Sequence, residues 1–197
     1  HSLMGFGALD AIALNMMLEF TLCNAAQVIC VSHCAKENMV LRARLAPDSV
    51  SVIPNAVAAS CFVPATAAER AERRAQEPAG RINVVLLSRL VYRKGLDLAV
   101  SAIPPLCAQH PELHFVVGGD GPMRLALEEM REREQLQERV SMLGEVPRER
   151  VRDVLVRGDV FLNCSLTEGF CIAIVEAAAA GLEVVTTAVG GVPEVLP

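Results

Sequence analysis

"INVVLLSRLVYRKGLDLAVSA", residues 82–102, joins two different patterns end to end. Residues 82–88 are a continuous apolar run, the mark of a strand buried on both faces. From Lys94 the spacing predicts an amphipathic helix over 94–109. The same unit then repeats. Strands are expected at 113–119, 139–144, 159–165 and 183–187, and helices at 122–134, 148–157 and 170–180. Such alternation is the signature of an α/β fold: a parallel sheet with helices on both faces. In these sheets ligands bind beyond the carboxyl ends of the strands. The loops that follow the strands are therefore the places to look for chemistry.

Towards the N-terminus the pattern is looser. Phe6–Phe20 have helical apolar spacing. "AQVICVS" (26–32) reads as a strand, with Ser32 placed to cap the next helix. "SVSVIP" (49–54) reads as another strand, ended by Pro54. Residues 64–80 are rich in Ala, Arg and Glu between prolines, and are expected to form a solvated linker or a short exposed helix.

Composition bounds the rest. The 197 residues include 52% hydrophobic types, no Trp and one Tyr, so the core must be mostly aliphatic. A net charge of −5 argues against a nucleic-acid partner. Seven cysteines without a C-x-x-C pair imply free thiols in a reducing compartment. Cys23, Cys30 and Cys34 have unsuitable spacing for zinc and are expected to be buried structural residues. No run is long enough to span a membrane and no signal peptide is visible. The chain begins at His1 and reads as a fragment of a longer protein.

Four loops could hold chemistry. "SRLVYRKG" (88–95) sets Arg89 and Lys94 around a tight turn with Gly95, cations that suit a phosphate. "GGDGP" (118–122) resembles a dinucleotide fingerprint superficially, but Arg124 stands where its third glycine should be. That makes a hydride-transferring enzyme improbable. The alternative is a plain turn with Pro122 at the first helical position. "TEGFC" (167–171) places Glu168 before a helix start, whose free N–H groups can grip anionic or hydroxylated atoms. Glu176 falls about two turns into that helix, on the order of 10–12 Å away. This is too far for the carboxylate pair of a glycosidase. The two acids suit opposite ends of an extended ligand; the bland alternative is one capping and one ordinary helix glutamate. Yet Glu176 lies among Ile174, Val175 and four alanines, where a charge needs partners. "VGGVPEV" (189–195) offers Gly190 and Gly191 for close backbone approach, or simply a turn. No Asp-x-Asp is present, so no metal on a diphosphate is indicated. His33, His110 and His114 are scattered and are expected to be non-catalytic.

Glu168-x7-Glu176 together with "SRLVYRKG", "GGDGP" and "GGVPEV" resembles the retaining GT-B glycosyltransferases of family 4. "HSLMGF", "ICVSHCAKEN", "VSVIPNAV" and "SRLVYRKGLDL" narrow the resemblance to the branch that starts glycosylphosphatidylinositol (GPI) anchor synthesis. The likeness covers nearly the whole chain outside 64–80. It implies two Rossmann-like domains, the first mostly missing. Residues 1–57 would end the acceptor-binding domain, 58–80 would link, and 81–197 would form most of the donor-binding domain. It implies transfer of GlcNAc from UDP-GlcNAc to phosphatidylinositol without a metal or other cofactor. It further implies partner subunits and a place at the endoplasmic reticulum membrane, with the catalytic domain on the cytoplasmic face. By the same resemblance, Arg89 and Lys94 neutralise the diphosphate, Glu176 holds the ribose and Glu168 faces the donor sugar. The N–H groups of Phe170 and Cys171 lie near that sugar, and Gly169, Gly118, Gly190 and Gly191 belong to the donor site. His1 matches a histidine near the reacting carbon. The family's "NGVD" turn reads "NAVA" (55–58) here, so Ala58 lacks its polar side chain. Two alternatives stay open: another family-4 transferase with a different acceptor, and a non-catalytic nucleotide-binding module.

Overall fold

A computed structural model describes residues 9–196. The chain divides into two compact units. One comprises the residues before Val57 with Thr167–Ile172 and those from Ala188 on; the other comprises Val57–Leu166 and Ala173–Thr187.

In the first unit, α1 (Leu9–Leu22) precedes β1 (Val28–Cys30), α2 (His33–Ala43) and β2 (Val50–Val52). The two strands pair in parallel, Val28 opposite Val50. Ser32 caps α2 as its sequence position suggested, its hydroxyl accepting from the Ala35 N–H at 3.1 Å. Among the described residues, no helix is long and apolar enough to cross a membrane.

The second unit begins with α3 (Ala67–Gln76), the Arg- and Glu-rich segment. It is not merely solvated. Thr66 and Glu69 form a reciprocal capping box at its start. Arg73 is mostly buried and donates to the Gly158 carbonyl (3.1 Å) and to Asp159 (2.5 Å). Arg152 reaches Glu69 (3.3 Å) and the Val63 carbonyl (3.0 Å). Segment 58–80 is thus fastened to this unit rather than lying free of it.

The sheet follows: β3 (Ile82–Leu87), α4 (Leu96–Gln109), β4 (Leu113–Gly118), α5 (Arg124–Arg133), β5 (Val140–Gly144), α6 (Val151–Leu155), β6 (Val160–Asn163), α7 (Ile172–Ala179) and β7 (Glu183–Thr186). All five strands are parallel, in the order β5-β4-β3-β6-β7. Each strand and helix lies within a few residues of its expected span. Val84 and Leu86 pack with Leu96, Ile103, Leu127 and Met130 from α4 and α5. Val85 and its partner Phe161 project to the opposite face. Both faces are covered, which is why β3 is almost wholly apolar.

The strand order reverses at β3. The chain steps outward through β4 to β5, then returns to place β6 on the other side. In open α/β sheets that reversal opens a crevice at the carboxyl ends of the two central strands.

Three expectations shift. α5 begins at Arg124 rather than at Pro122, with Met123 at its N-cap. α7 begins at Ile172, so Glu176 stands just over one turn into it. All seven cysteines are free, but Cys23 is exposed and Cys34 only half-buried; Cys30 alone of that trio is buried. His114 is buried on β4, its ring 2.9 Å from the Ser141 hydroxyl on β5. Burial, then the nearby Arg81 charge, pushes its pKa down to about 4.

Candidate functional site

A cavity of about 460 Å³ opens in the second unit at the carboxyl ends of β3, β4 and β5. Ser88, Arg89, Gly118, Glu145, Phe161 and Glu176 are among its walls. Its size suits a small ligand. Three expected residues therefore meet here: Arg89 after β3, Gly118 at the end of β4 and Glu176 on α7.

The loops around it are stitched together through backbone. The Ser88 N–H donates to the Gly118 carbonyl (3.2 Å) and the Leu90 N–H to the Asp120 carbonyl (2.9 Å). The Met123 N–H returns to the Leu90 carbonyl at 2.8 Å. Gly119 has φ +130°, and a Cβ there would stand 1.8 Å from the Ser88 carbonyl oxygen. The "GGDGP" glycines thus bring the β4 loop against the loop that carries Arg89. Register shifts between Val117 and Gly118, which loosens the β4–β5 ladder where the cavity begins. Arg124, at the place of the missing fingerprint glycine, pairs with Glu128 at 2.8 Å.

Arg89 is exposed. Lys94 ends a 3-10 turn, Tyr92–Lys94, and is half-buried. It does not line this cavity. The Arg93 carbonyl accepts from the Leu166 N–H at 3.0 Å, which ties the cationic loop to the chain leaving β6.

Glu176 is half-buried. Burial pushes its carboxyl above the usual range, and the Arg148 charge pulls it back. The acid inside an apolar segment is thus explained locally: the segment is a short helix, and Glu176 faces the cavity rather than the packed core. Glu145, Asp120 and Val146 also line the cavity and were not singled out from sequence. Their signal was position, since each follows the end of a strand.

The remaining expected residues belong to the first unit. Glu168 is half-buried, Gly169 and Cys171 are buried, and Phe170 lines a separate cavity of about 680 Å³ with His33, Lys36 and Glu194. Gly190 is exposed and has φ +54°, while Gly191 is buried. The Gly191 N–H donates to the Glu168 carbonyl at 3.0 Å. Sequence therefore named residues that gather in two groups, one in each unit. His1 lies outside the described residues.

The parallel sheets, the reversal at β3 and the cavity beyond it are consistent with an α/β fold of the GT-B type, and the chain belongs to the glycosyl transferases group 1 family, whose model matches residues 68–197. The phosphatidylinositol N-acetylglucosaminyltransferase subunit of Arabidopsis thaliana is 55% identical over the whole chain, which covers 42% of that protein. The subunit of the same name from Homo sapiens is 52% identical, again over the whole chain and 39% of its own length. The chain thus spans about two fifths of these relatives. Among solved structures, HepE of Anabaena in complex with UDP and glucose superposes with a TM-score of 0.83 at 21% identity, over all of this chain and 54% of that one.

Proposed function

We propose that the full-length protein is a retaining glycosyltransferase that moves GlcNAc from UDP-GlcNAc to phosphatidylinositol, the first step of GPI-anchor synthesis. The observation that carries this reading is the 48–55% identity over the whole chain to relatives named as subunits of that transferase. The cavity beside Arg89 and Glu176 supports it, because its cation and acid suit the two ends of a nucleotide.

In this reading Arg89 and Lys94 offset the diphosphate charge, Glu176 accepts from the ribose hydroxyls, and Glu168 faces the donor sugar near the N–H groups of Phe170 and Cys171. The family resemblance gives His1 a role at the reacting carbon, and Gly169, Gly190 and Gly191 let backbone approach the donor. As the bond from the sugar to phosphate breaks, negative charge grows on UDP. Fixed cations and backbone donors stabilise that charge more than they stabilise the ground state. The inositol hydroxyl attacks from the face the phosphate leaves, so configuration is retained, and the departing phosphate takes its proton. The chain has no Asp-x-Asp, so positive side chains fill the role that a metal would otherwise take. The reading includes partner subunits and a place on the cytoplasmic face of the endoplasmic reticulum membrane. The test is release of UDP from UDP-GlcNAc by the full-length protein, with and without phosphatidylinositol. Release that depends on the lipid supports the assignment; release that ignores it refutes the acceptor.

A further inference from the structure

We infer that Glu194 is a positioning residue for the segment that carries Glu168. The inference deepens the proposed function and rests on it for the meaning of Glu168. The geometry behind it lies within the first unit. One carboxylate oxygen of Glu194 accepts from the His33 N–H at 2.6 Å, and the other from the Cys34 N–H at 2.9 Å. With Ser32 on the Ala35 N–H, the first turn of α2 is bonded at three successive amides. A carboxylate is the group such a helix start prefers, since exposed N–H groups and the helix dipole both favour negative charge.

Glu194 closes a short 3-10 turn, Val192–Glu194, that Gly191 begins. Its own N–H returns to the Gly191 carbonyl at 3.2 Å. Gly191 in turn donates to the Glu168 carbonyl. Gly191 also has no room for a side chain. A Cβ there would stand 2.1 Å from the Gly169 carbonyl oxygen and 2.6 Å from the Ser32 hydroxyl oxygen. Three stretches far apart in sequence, 32–34, 168–169 and 191–194, therefore lock at one point. Glu194 supplies the charge in these contacts. If its carboxylate lets go of α2, the turn is free to shift, and Gly191 carries the Glu168 backbone with it.

Arg89 and Glu176 belong to the other unit and keep their hold on UDP when Glu194 is changed. The step that suffers is the one that needs Glu168 in place. A displacement of about 1 Å in a reacting group can lower kcat on the order of 100-fold.

The test compares Glu194→Ala and Glu194→Gln with the wild type in the full-length protein, by UDP titration, kcat with UDP-GlcNAc and phosphatidylinositol, and amide hydrogen exchange. Glu194→Ala is expected to lower kcat roughly 10- to 100-fold with UDP affinity unchanged. Glu194→Gln, which keeps one acceptor oxygen, is expected to fall between. Exchange across 167–172 should quicken in both variants while β3 to β6 stay protected. Unchanged exchange at 167–172 in Glu194→Ala overturns the inference. So does a parallel fall in kcat and UDP affinity, which would mark general weakening. Absence of transfer by the wild type sinks the functional reading instead, and the exchange result alone then decides the role of Glu194.

Discussion

A Cβ placed on Gly95 would stand 1.8 Å from the carbonyl oxygen of Cys164. The turn that carries the Arg89 loop into α4 is thus pressed against the chain leaving β6, across the reversal of strand order. Gly95 also has φ +68°. Two effects separate here. A left-handed alanine costs roughly 1 kcal/mol wherever it occurs. The overlap with a backbone carbonyl adds to that, because backbone cannot rotate away as a side chain can. Gly80 supplies the control, with φ +81° and nothing within 4 Å of an added methyl. Gly80→Ala should lower stability by about 1 kcal/mol, and Gly95→Ala by clearly more. Denaturant melts of both variants measure this, and equal losses would contradict the packing.

Arg89 and Lys94 are assigned to a charge that grows during reaction. Removing a preorganised group of that kind typically lowers kcat about 100-fold or more. Steady-state kinetics of Arg89→Ala and Lys94→Ala should find kcat reduced that far. Normal turnover in either would remove that residue from the mechanism.

Glu176 should carry a trade between stability and function. Its folded pKa is raised above the unfolded value, chiefly by burial. Its contribution to stability is therefore present in full below the unfolded pKa and is lost as pH rises through the folded one. At neutral pH the ionised acid is a burden to the fold. Glu176→Gln should raise the melting temperature at pH 7 and leave it nearly unchanged near pH 4. Thermal melts at the two pH values check the sign; a lower melting temperature at pH 7 would contradict it.

His114 behaves in the opposite sense. Its folded pKa lies near 4 and its ordinary value is 6.5. The unfolded chain binds the proton first, so stability is intact above pH 6.5 and falls as pH drops towards 4. His114→Gln should flatten that part of the pH–stability curve. A wild-type curve already flat between pH 6.5 and 4 would contradict the assignment.

The five-stranded sheet was legible because its pattern is local. An apolar run such as 82–88 can hardly be anything but a central strand, and the loops behind such runs are where Arg89 and Gly118 were found. Ser32 was legible for the same reason, since its cap lies three residues away. What sequence left dark depends on distant pairs. Glu194 meets α2 across 160 residues of chain, and Arg73 meets Asp159 across 86. No periodicity encodes such contacts. The start of α7 was misplaced because "GFC" continues the apolar run without a breaker, and Glu145 was passed over because a lone acid after a strand looks like any surface charge.

In the proposed function, the cavity beyond β3, β4 and β5 grips UDP between a cation, Arg89, and an acid, Glu176. Titration of UDP into the full-length protein, wild type against Glu176→Gln and Arg89→Ala, measures that grip. The wild type is expected to bind, with affinity about ten-fold weaker or worse in each variant, the scale of a lost charge-assisted hydrogen bond. Equal UDP affinity in all three proteins would contradict it.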